Sequence, residues 1–362
     1  MRLAFCSGRN SPHTVRWVNS LARRGHEILL ISVHRTGDPL DSRIKVKLLP
    51  FPPGIGYFLN SPLAALALRQ FAPDLLHIHS ASGYGTLGRL TRFHPCVLSV
   101  WGSDVYDVPW QSVTKRKIVL KNLHNADYIC STSYCMARET KRLCPEIEEI
   151  AVTPFGIDLS RFYQNSIGQE EGIIKIGTVK RLEQKYAVDT LIKAFSWVRC
   201  ESKKNNPEIF SKLRLVIVGE GSELERLVSL SEELGIAEVT TFTGSVSHDQ
   251  VPGYLNSFDT FVALSRLDSE SFGVAILEAS ACNVPVVVSD VSGFTEVVRD
   301  NKTGLIVPRD DVTVAGGAIL KLVQDIELRR YLGHNGRIHV EENYGWEHCL
   351  DLMEQVYEKV LS

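Results

Sequence analysis

Short apolar runs, each closed by glycine or polar residues, recur along the chain with stretches of helical period between them. Residues 2–6 read as a first strand, 7–10 as a tight loop, and 12–24 as a helix carrying Val15, Val18 and Leu21 on one face. Residues 26–31 return as a strand and complete a βαβ unit. The alternation continues with strand-like runs at 74–79, 97–100, 126–130 and 147–152. A second series follows at 173–179, 213–219, 239–244, 258–264, 284–288 and 304–308. Runs that are apolar throughout, rather than alternating, suit parallel strands buried on both faces. The fold class is therefore α/β. At 362 residues the chain is long for one core, which favours two domains.

Within the second series, residues 270–278 (Glu-Ser-Phe-Gly-Val-Ala-Ile-Leu-Glu) lie between a strand and the helix that follows it. A helix start leaves N–H groups without intrahelical partners, and its dipole is positive there. A diphosphate can rest on the amides of Phe272, Gly273 and Val274, with Gly273 allowing close backbone approach. Glu270, beside the phosphates, is then placed for a sugar attached to them. Glu278 lies about 9 Å along the helix, the reach from a diphosphate to a ribose. Strand–loop–helix units are common, however, and two glutamates at this spacing also arise by chance.

Residues 264–289, which contain this stretch, resemble the Glu-x7-Glu motif of retaining family-4 glycosyltransferases. The resemblance runs along nearly the whole chain and is dense from Gly177 to Pro308. It implies a GT-B fold: two Rossmann-like, doubly wound parallel-sheet domains facing a cleft, with a C-terminal helix crossing back to the first domain. The expected boundaries are 1–155 for the acceptor-binding domain, 156–342 for the nucleotide-sugar domain and 343–362 for the returning helix. The hinge is expected between Pro154 and Gly168. The implied activity is transfer of a sugar from a nucleoside-diphosphate sugar to a glycan or lipid-linked acceptor, in cell-surface polysaccharide synthesis. No metal or other cofactor is expected beyond the donor itself. A GT-B nucleotide-sugar 2-epimerase and a non-catalytic nucleotide-binding protein are the alternatives.

The resemblance also assigns roles. Arg181 and Lys185 match a cationic pair placed on the donor diphosphate, where fixed charge stabilises the leaving group. Tyr186-Ala187 departs from the glycine many members have after the lysine. Gly8 matches a first-loop glycine that approaches phosphate, although a simple turn explains it equally well. Gly219-Glu220-Gly221 lacks the third glycine of a dinucleotide turn, Leu224 standing there, but in the family Gly221 lies near the nucleotide. Ser245 and Val246 match the backbone segment that reads the nucleobase. His79 ends a strand at the acceptor side, and Asp104 is assigned to an acceptor hydroxyl or to a helix or turn cap. Trp101 stands where many members have a histidine that serves the donor's 6-hydroxyl, so that role is not carried over. His77 and His79 share a strand face, but no third metal ligand is evident.

Composition narrows the partners. Lys and Arg total 40 against 42 Asp and Glu, so net charge gives no case for nucleic acid. The eight cysteines show no paired Cys-x2-Cys spacing. With no signal peptide read, they are expected as reduced thiols in a cytoplasmic protein. No apolar run is long enough to span a bilayer. The aromatic, proline-rich segment 51–58, the following helix, and the basic run at 114–121 leave room for a peripheral contact at the inner membrane face. Oligomeric state is not legible.

Overall fold

The computed structural model describes residues 1–165 and 170–362. The chain divides into two compact units, Met1–Gly156 with Glu347–Ser362, and Ile157–Trp346. Of the expected hinge, Gly168 and its two predecessors lie outside the described residues.

The first unit is a seven-stranded parallel sheet of β1 (Arg2–Cys6), β2 (Glu27–Ser32), β3 (Lys45–Leu48), β4 (Leu75–His79), β5 (Cys96–Val100), β6 (Tyr128–Ser131) and β7 (Ile150–Val152). Its spatial order is β3-β2-β1-β4-β5-β6-β7. The central strands are buried along their whole length, which is why they read as mainly apolar runs. Edge strand β3 is exposed at all four positions and gave no such signal. Helix Trp346–Leu361 packs on this sheet through its buried Cys349, Leu350, Met353, Val356 and Tyr357. Arg24 gathers Glu347, Asp351 and Glu354 from that helix, and the Tyr357 hydroxyl meets His77 Nδ1 at 2.7 Å.

The second unit is a six-stranded parallel sheet of β8 (Ile174–Val179), β9 (Leu213–Val218), β10 (Thr240–Gly244), β11 (Thr260–Ala263), β12 (Val286–Ser289) and β13 (Leu305–Val307). Its order is β10-β9-β8-β11-β12-β13. Phe195, Val198 and Leu322 from flanking helices pack against Ile176, Leu215, Ile217, Val262 and Val287.

Both sheets are doubly wound, and each has one place where the strand order reverses, β1/β4 in the first and β8/β11 in the second. Loops leaving the carboxyl ends of two such strands diverge to opposite faces and open a crevice, where ligands bind in open α/β sheets. In the second unit those loops are 180–187, after β8, and 264–273, after β11.

Candidate functional site

The loop after β11 leads from Leu264 to the αL residue Gly273 (φ +81°), and helix Val274–Ala281 begins at the next residue. Gly273 suits that left-handed backbone, which side chains resist. No side chain caps this helix. Ile276 N donates to the Gly273 carbonyl at 3.0 Å, the first rung of the helical ladder. Gly293 holds the loop from behind: a Cβ there would lie 2.4 Å from the Glu270 carbonyl oxygen and 2.6 Å from the Phe272 nitrogen.

Glu270 faces the other loop of the crevice. Its Oε1 accepts a 2.7 Å hydrogen bond from Lys180 Nζ, with both side chains only 14% exposed. Lys180 is the first residue after β8, and its ammonium also lies 4.6 Å from the centre of the Tyr186 ring. Arg181, by contrast, is 77% exposed and reaches only Glu183, at 3.8 Å. Lys185 lies over the Tyr186 ring at 4.8 Å. The cation against Glu270 is thus Lys180, which the motif comparison passed over. Its position directly after a strand at the order reversal was the available signal.

Loop 180–187 is held from two directions. Arg266 N and Nη1 donate to the carbonyls of Lys185 and Gln184, both at 2.9 Å, while its guanidinium pairs with Asp189 and Asp310. Beneath the loop, a Cβ on Gly219 would fall 1.9 Å from the Lys180 carbonyl oxygen, and one on Gly221 would fall 2.3 Å from that of Leu182. Leu182 N donates to the Glu220 carbonyl at 2.9 Å. Gly221 therefore has a packing reason for lacking a side chain. Gly219 N donates in turn to the Gly244 carbonyl at 2.9 Å, which sets exposed Ser245 and half-buried Val246 beside this loop.

Glu278 is buried and engaged. His248 Nε2 lies 2.9 Å from its Oε1, and the His248 ring sits 5.6 Å from that of Phe162. The carboxylate expected at the ribose thus shares one oxygen with a half-exposed histidine. No sequence signal marked His248.

In the first unit, Gly8 follows β1, and a Cβ there would crowd Asn10 Oδ1 at 2.7 Å. His79, at the end of β4, is buried; its Nδ1 shares a 2.8 Å hydrogen bond with the Ser7 hydroxyl, and its ring lies 4.3 Å from Trp101. Burial, with His77 and His13 nearby, holds its pKa well below the ordinary imidazole value, so it is neutral at pH 7. Trp101 also meets Phe155 edge-on at 5.4 Å. Of the two readings of Asp104, the structure shows the turn cap: its Oδ2 accepts from Ala81 N at 2.7 Å, and its Oδ1 accepts from Trp101 N and Gly102 N at 3.1 and 2.9 Å. The buried carboxylate fixes the turn after β5. Burial raises its pKa despite these bonds.

A cavity of about 860 Å³ in the second unit lies elsewhere, lined by Lys175, Phe258, Asp259, Pro285 and Arg329 at the amino ends of the strands. The carboxyl-end crevice is preferred because it alone joins convergent charge to an uncapped helix start.

Comparison with known proteins agrees with this fold. The family model described as glycosyl transferases group 1 matches residues 160–339, and that described as glycosyl transferase 4-like matches residues 2–133. The chain belongs to the group 1 glycosyltransferases. Among relatives, N-acetyl-alpha-D-glucosaminyl L-malate synthase of Bacillus anthracis is 25% identical over 94% of this chain and 91% of its own length. The D-inositol 3-phosphate glycosyltransferase of Stackebrandtia nassauensis is 31% identical, covering 82% of this chain and 65% of its own. The GDP-mannose-dependent alpha-(1-6)-phosphatidylinositol monomannoside mannosyltransferase of Mycobacterium tuberculosis is 28% identical over 67% of this chain, which spans 64% of that enzyme's length. Sucrose-phosphate synthase of Thermosynechococcus elongatus superposes with a TM-score of 0.83 at 21% identity, covering 99% of this chain and 98% of that one. HepE of Anabaena, in complex with UDP-glucose, gives 0.79 at 15% identity, covering 99% and 100%. These likenesses establish two Rossmann-like parallel-sheet domains of the GT-B class. No helix among the described residues is long and apolar enough to cross a membrane.

Proposed function

We propose that this group 1 glycosyltransferase moves a sugar from a nucleoside-diphosphate sugar to a glycan or lipid-linked acceptor, with retention of anomeric configuration. The observation that carries the reading is the meeting of Glu270 with Lys180 in front of the uncapped start of helix Val274–Ala281. The donor diphosphate rests on the Phe272–Val274 amides, and the cations of loop 180–187 face it. Departure of the nucleoside diphosphate concentrates negative charge there, and preorganised donors stabilise it without reorganising. Glu270 Oε2 takes a sugar hydroxyl while Oε1 stays with Lys180. Glu278 Oε2 takes a ribose hydroxyl while Oε1 stays with His248. Arg181, Lys185 and Lys180 supply positive charge that a metal ion would otherwise bring, so transfer is expected to persist in a chelator.

The acceptor class is read from the first unit. Phe51, Phe58, Leu59 and Leu66 are exposed, as is Ile55 at 66%, and the basic run 115–117 lies on helix Val113–Asn125. Apolar side chains and lysines together suit a lipid-linked acceptor at the cytoplasmic face of a membrane, in polysaccharide assembly. The relatives compared above are named as transferases and synthases, which supports transfer over epimerisation.

The test is a thermal-shift screen against uridine, guanosine and adenosine diphosphate sugars, since ligand bound only to the folded state raises its stability. Product analysis by NMR with the stabilising donor follows. Stabilisation by one donor and an α-product from an α-donor are expected. A donor turned over without acceptor to its 2-epimer would overturn the reading, as would an inverted product for retention.

A further inference from the structure

In the first unit, three side chains with metal-binding atoms converge. His124 lies in the last turn of helix Val113–Asn125, Cys144 caps the end of helix Tyr134–Leu143, and Glu146 follows in the turn toward β7. Their ligand atoms form a nearly equilateral triangle. Cys144 Sγ is 3.6 Å from His124 Nε2 and 3.5 Å from Glu146 Oε2, and that oxygen is 3.7 Å from His124 Nε2. We propose that His124, Cys144 and Glu146 bind one divalent transition-metal ion of the zinc class, with the fourth position open to water.

The distances carry the argument. Tetrahedral zinc holds sulfur at about 2.3 Å and nitrogen or oxygen at about 2.0–2.2 Å, which places ligand atoms about 3.3–3.6 Å apart. The observed edges lie at or just above the upper end of that range, so an ion fits between the three groups with little movement of the backbone. A neighbouring cluster shows the contrast. His94, Cys96 and Asp127 also lie together, but His94 Nδ1 is 2.7 Å from Asp127 Oδ2, and the same oxygen accepts from Cys96 N at 2.6 Å. That is a closed hydrogen-bonded set, with no room for an ion between nitrogen and oxygen.

Two further features suit a metal. His124 Nδ1 lies 2.7 Å from the Leu120 carbonyl oxygen, so the other ring nitrogen is the one left for coordination. Donation from the second nitrogen to a carbonyl is the usual way a ligating imidazole is fixed. Cys144 Sγ lies 3.8 Å from Nδ1 and 3.6 Å from Nε2, over the face of the ring, so the exposed imidazole rotates about its χ torsions to aim Nε2 at the ion. His124 and Glu146 are exposed while Cys144 is buried, which gives an entry path from solvent to a sheltered thiolate. One thiolate, one imidazole and one carboxylate favour zinc and cobalt over magnesium or calcium, which take oxygen ligands. Binding releases the Cys144 thiol proton to solvent. The ion ties the end of one helix to the turn after another. Sequence alone hid the set, because His124 stands twenty positions before Cys144 in no recognised ligand spacing.

The test titrates the full chain with cobalt(II) alone, in a Cys200→Ser background that removes the exposed cysteine. One equivalent is expected to bind, giving tetrahedral visible bands and a thiolate-to-cobalt charge-transfer band that zinc abolishes. Cys144→Ser should remove the charge-transfer band, and His124→Ala and Glu146→Gln should each weaken binding at least tenfold. His94→Ala should leave it unchanged. Absence of the charge-transfer band in the background protein overturns the proposal, as does its survival in Cys144→Ser. If Cys144→Ser does not fold, wild-type affinity in both His124→Ala and Glu146→Gln overturns it equally.

Discussion

Lys180 Nζ and Glu270 Oε1 lie 2.7 Å apart, the two side chains arriving from opposite sides of the β8/β11 order reversal. Neither has much water to replace the other, since each is 14% exposed. Removing one leaves the other as a poorly solvated charge, the costly case for a partly buried pair. Lys180→Met is expected to lower kcat/KM about 100-fold, because Glu270 loses the contact that aims it. Glu270→Ala should abolish transfer while the protein stays folded. A double-mutant cycle with Glu270→Gln should give a coupling of about 1–3 kcal/mol in urea denaturation. Independent, additive effects would show that the pair does not act as a unit.

Gly219 and Gly221 support the loop of this lysine from below, the first under Lys180 and the second under Leu182. Gly219 has φ +139°, and its missing Cβ would lie within bonding range of the Lys180 carbonyl oxygen, at 1.9 Å. Backbone cannot move aside as a flexible side chain can. Gly219→Ala is therefore expected to cost about 2–4 kcal/mol of stability, by strained backbone and steric overlap together. Gly221→Ala should displace Leu182 and weaken nucleotide binding by an order of magnitude or more. Calorimetry with the cognate nucleoside diphosphate checks both, and unchanged affinity in Gly221→Ala would detach this loop from the donor site.

These two glycines show what the sequence does and does not carry. The strands flanking each order reversal were legible because a strand buried on both faces needs a mainly apolar run, as in Thr260–Ala263 and Leu75–His79. The edge strand Lys45–Leu48 was not, since exposure removes that requirement. Glu270 and Glu278 were legible from spacing around a helix start. Their partners were not: Lys180 and His248 are ninety and thirty positions away and meet them only through the fold. For Asp104 the sequence left an acceptor ligand and a turn cap open, and only the fold shows the three backbone donors that make it a cap.

His248 and Glu278 set up a test of donor binding in the second unit. The histidine holds one carboxylate oxygen at 2.9 Å, which orients the other toward a ribose hydroxyl. His248→Ala is expected to weaken nucleoside-diphosphate binding about three- to tenfold, because the carboxylate is no longer held in orientation. Glu278→Ala should weaken it further, and the double variant should match Glu278→Ala alone. Tighter binding in His248→Ala would instead mark the histidine as a competitor for the carboxylate.

The buried His77 makes the first unit sensitive to acid. Its Nδ1 meets the Tyr357 hydroxyl at 2.7 Å and its Nε2 the Ser99 hydroxyl at 2.8 Å, which joins helix Trp346–Leu361 to the middle of the sheet. Burial lowers its pKa to about 3 from an ordinary 6.5. The folded state then holds a neutral ring where the unfolded chain takes up a proton. Stability from this group is present above pH 6.5 and is lost as pH falls toward 3, the direction set by more protons bound in the unfolded state. Between pH 7 and pH 5 the loss is about 2 kcal/mol for one such histidine. His77→Gln should be less stable at pH 7, because its hydrogen bonds to Tyr357 and Ser99 are imperfectly replaced. Its stability should also fall by about 2 kcal/mol less than wild type between those pH values, His79 contributing equally to both proteins. Urea denaturation at the two pH values measures the difference. Parallel losses in wild type and variant would mean that His77 is protonated in the folded protein at pH 5, and that its two hydroxyl partners do not hold the ring neutral.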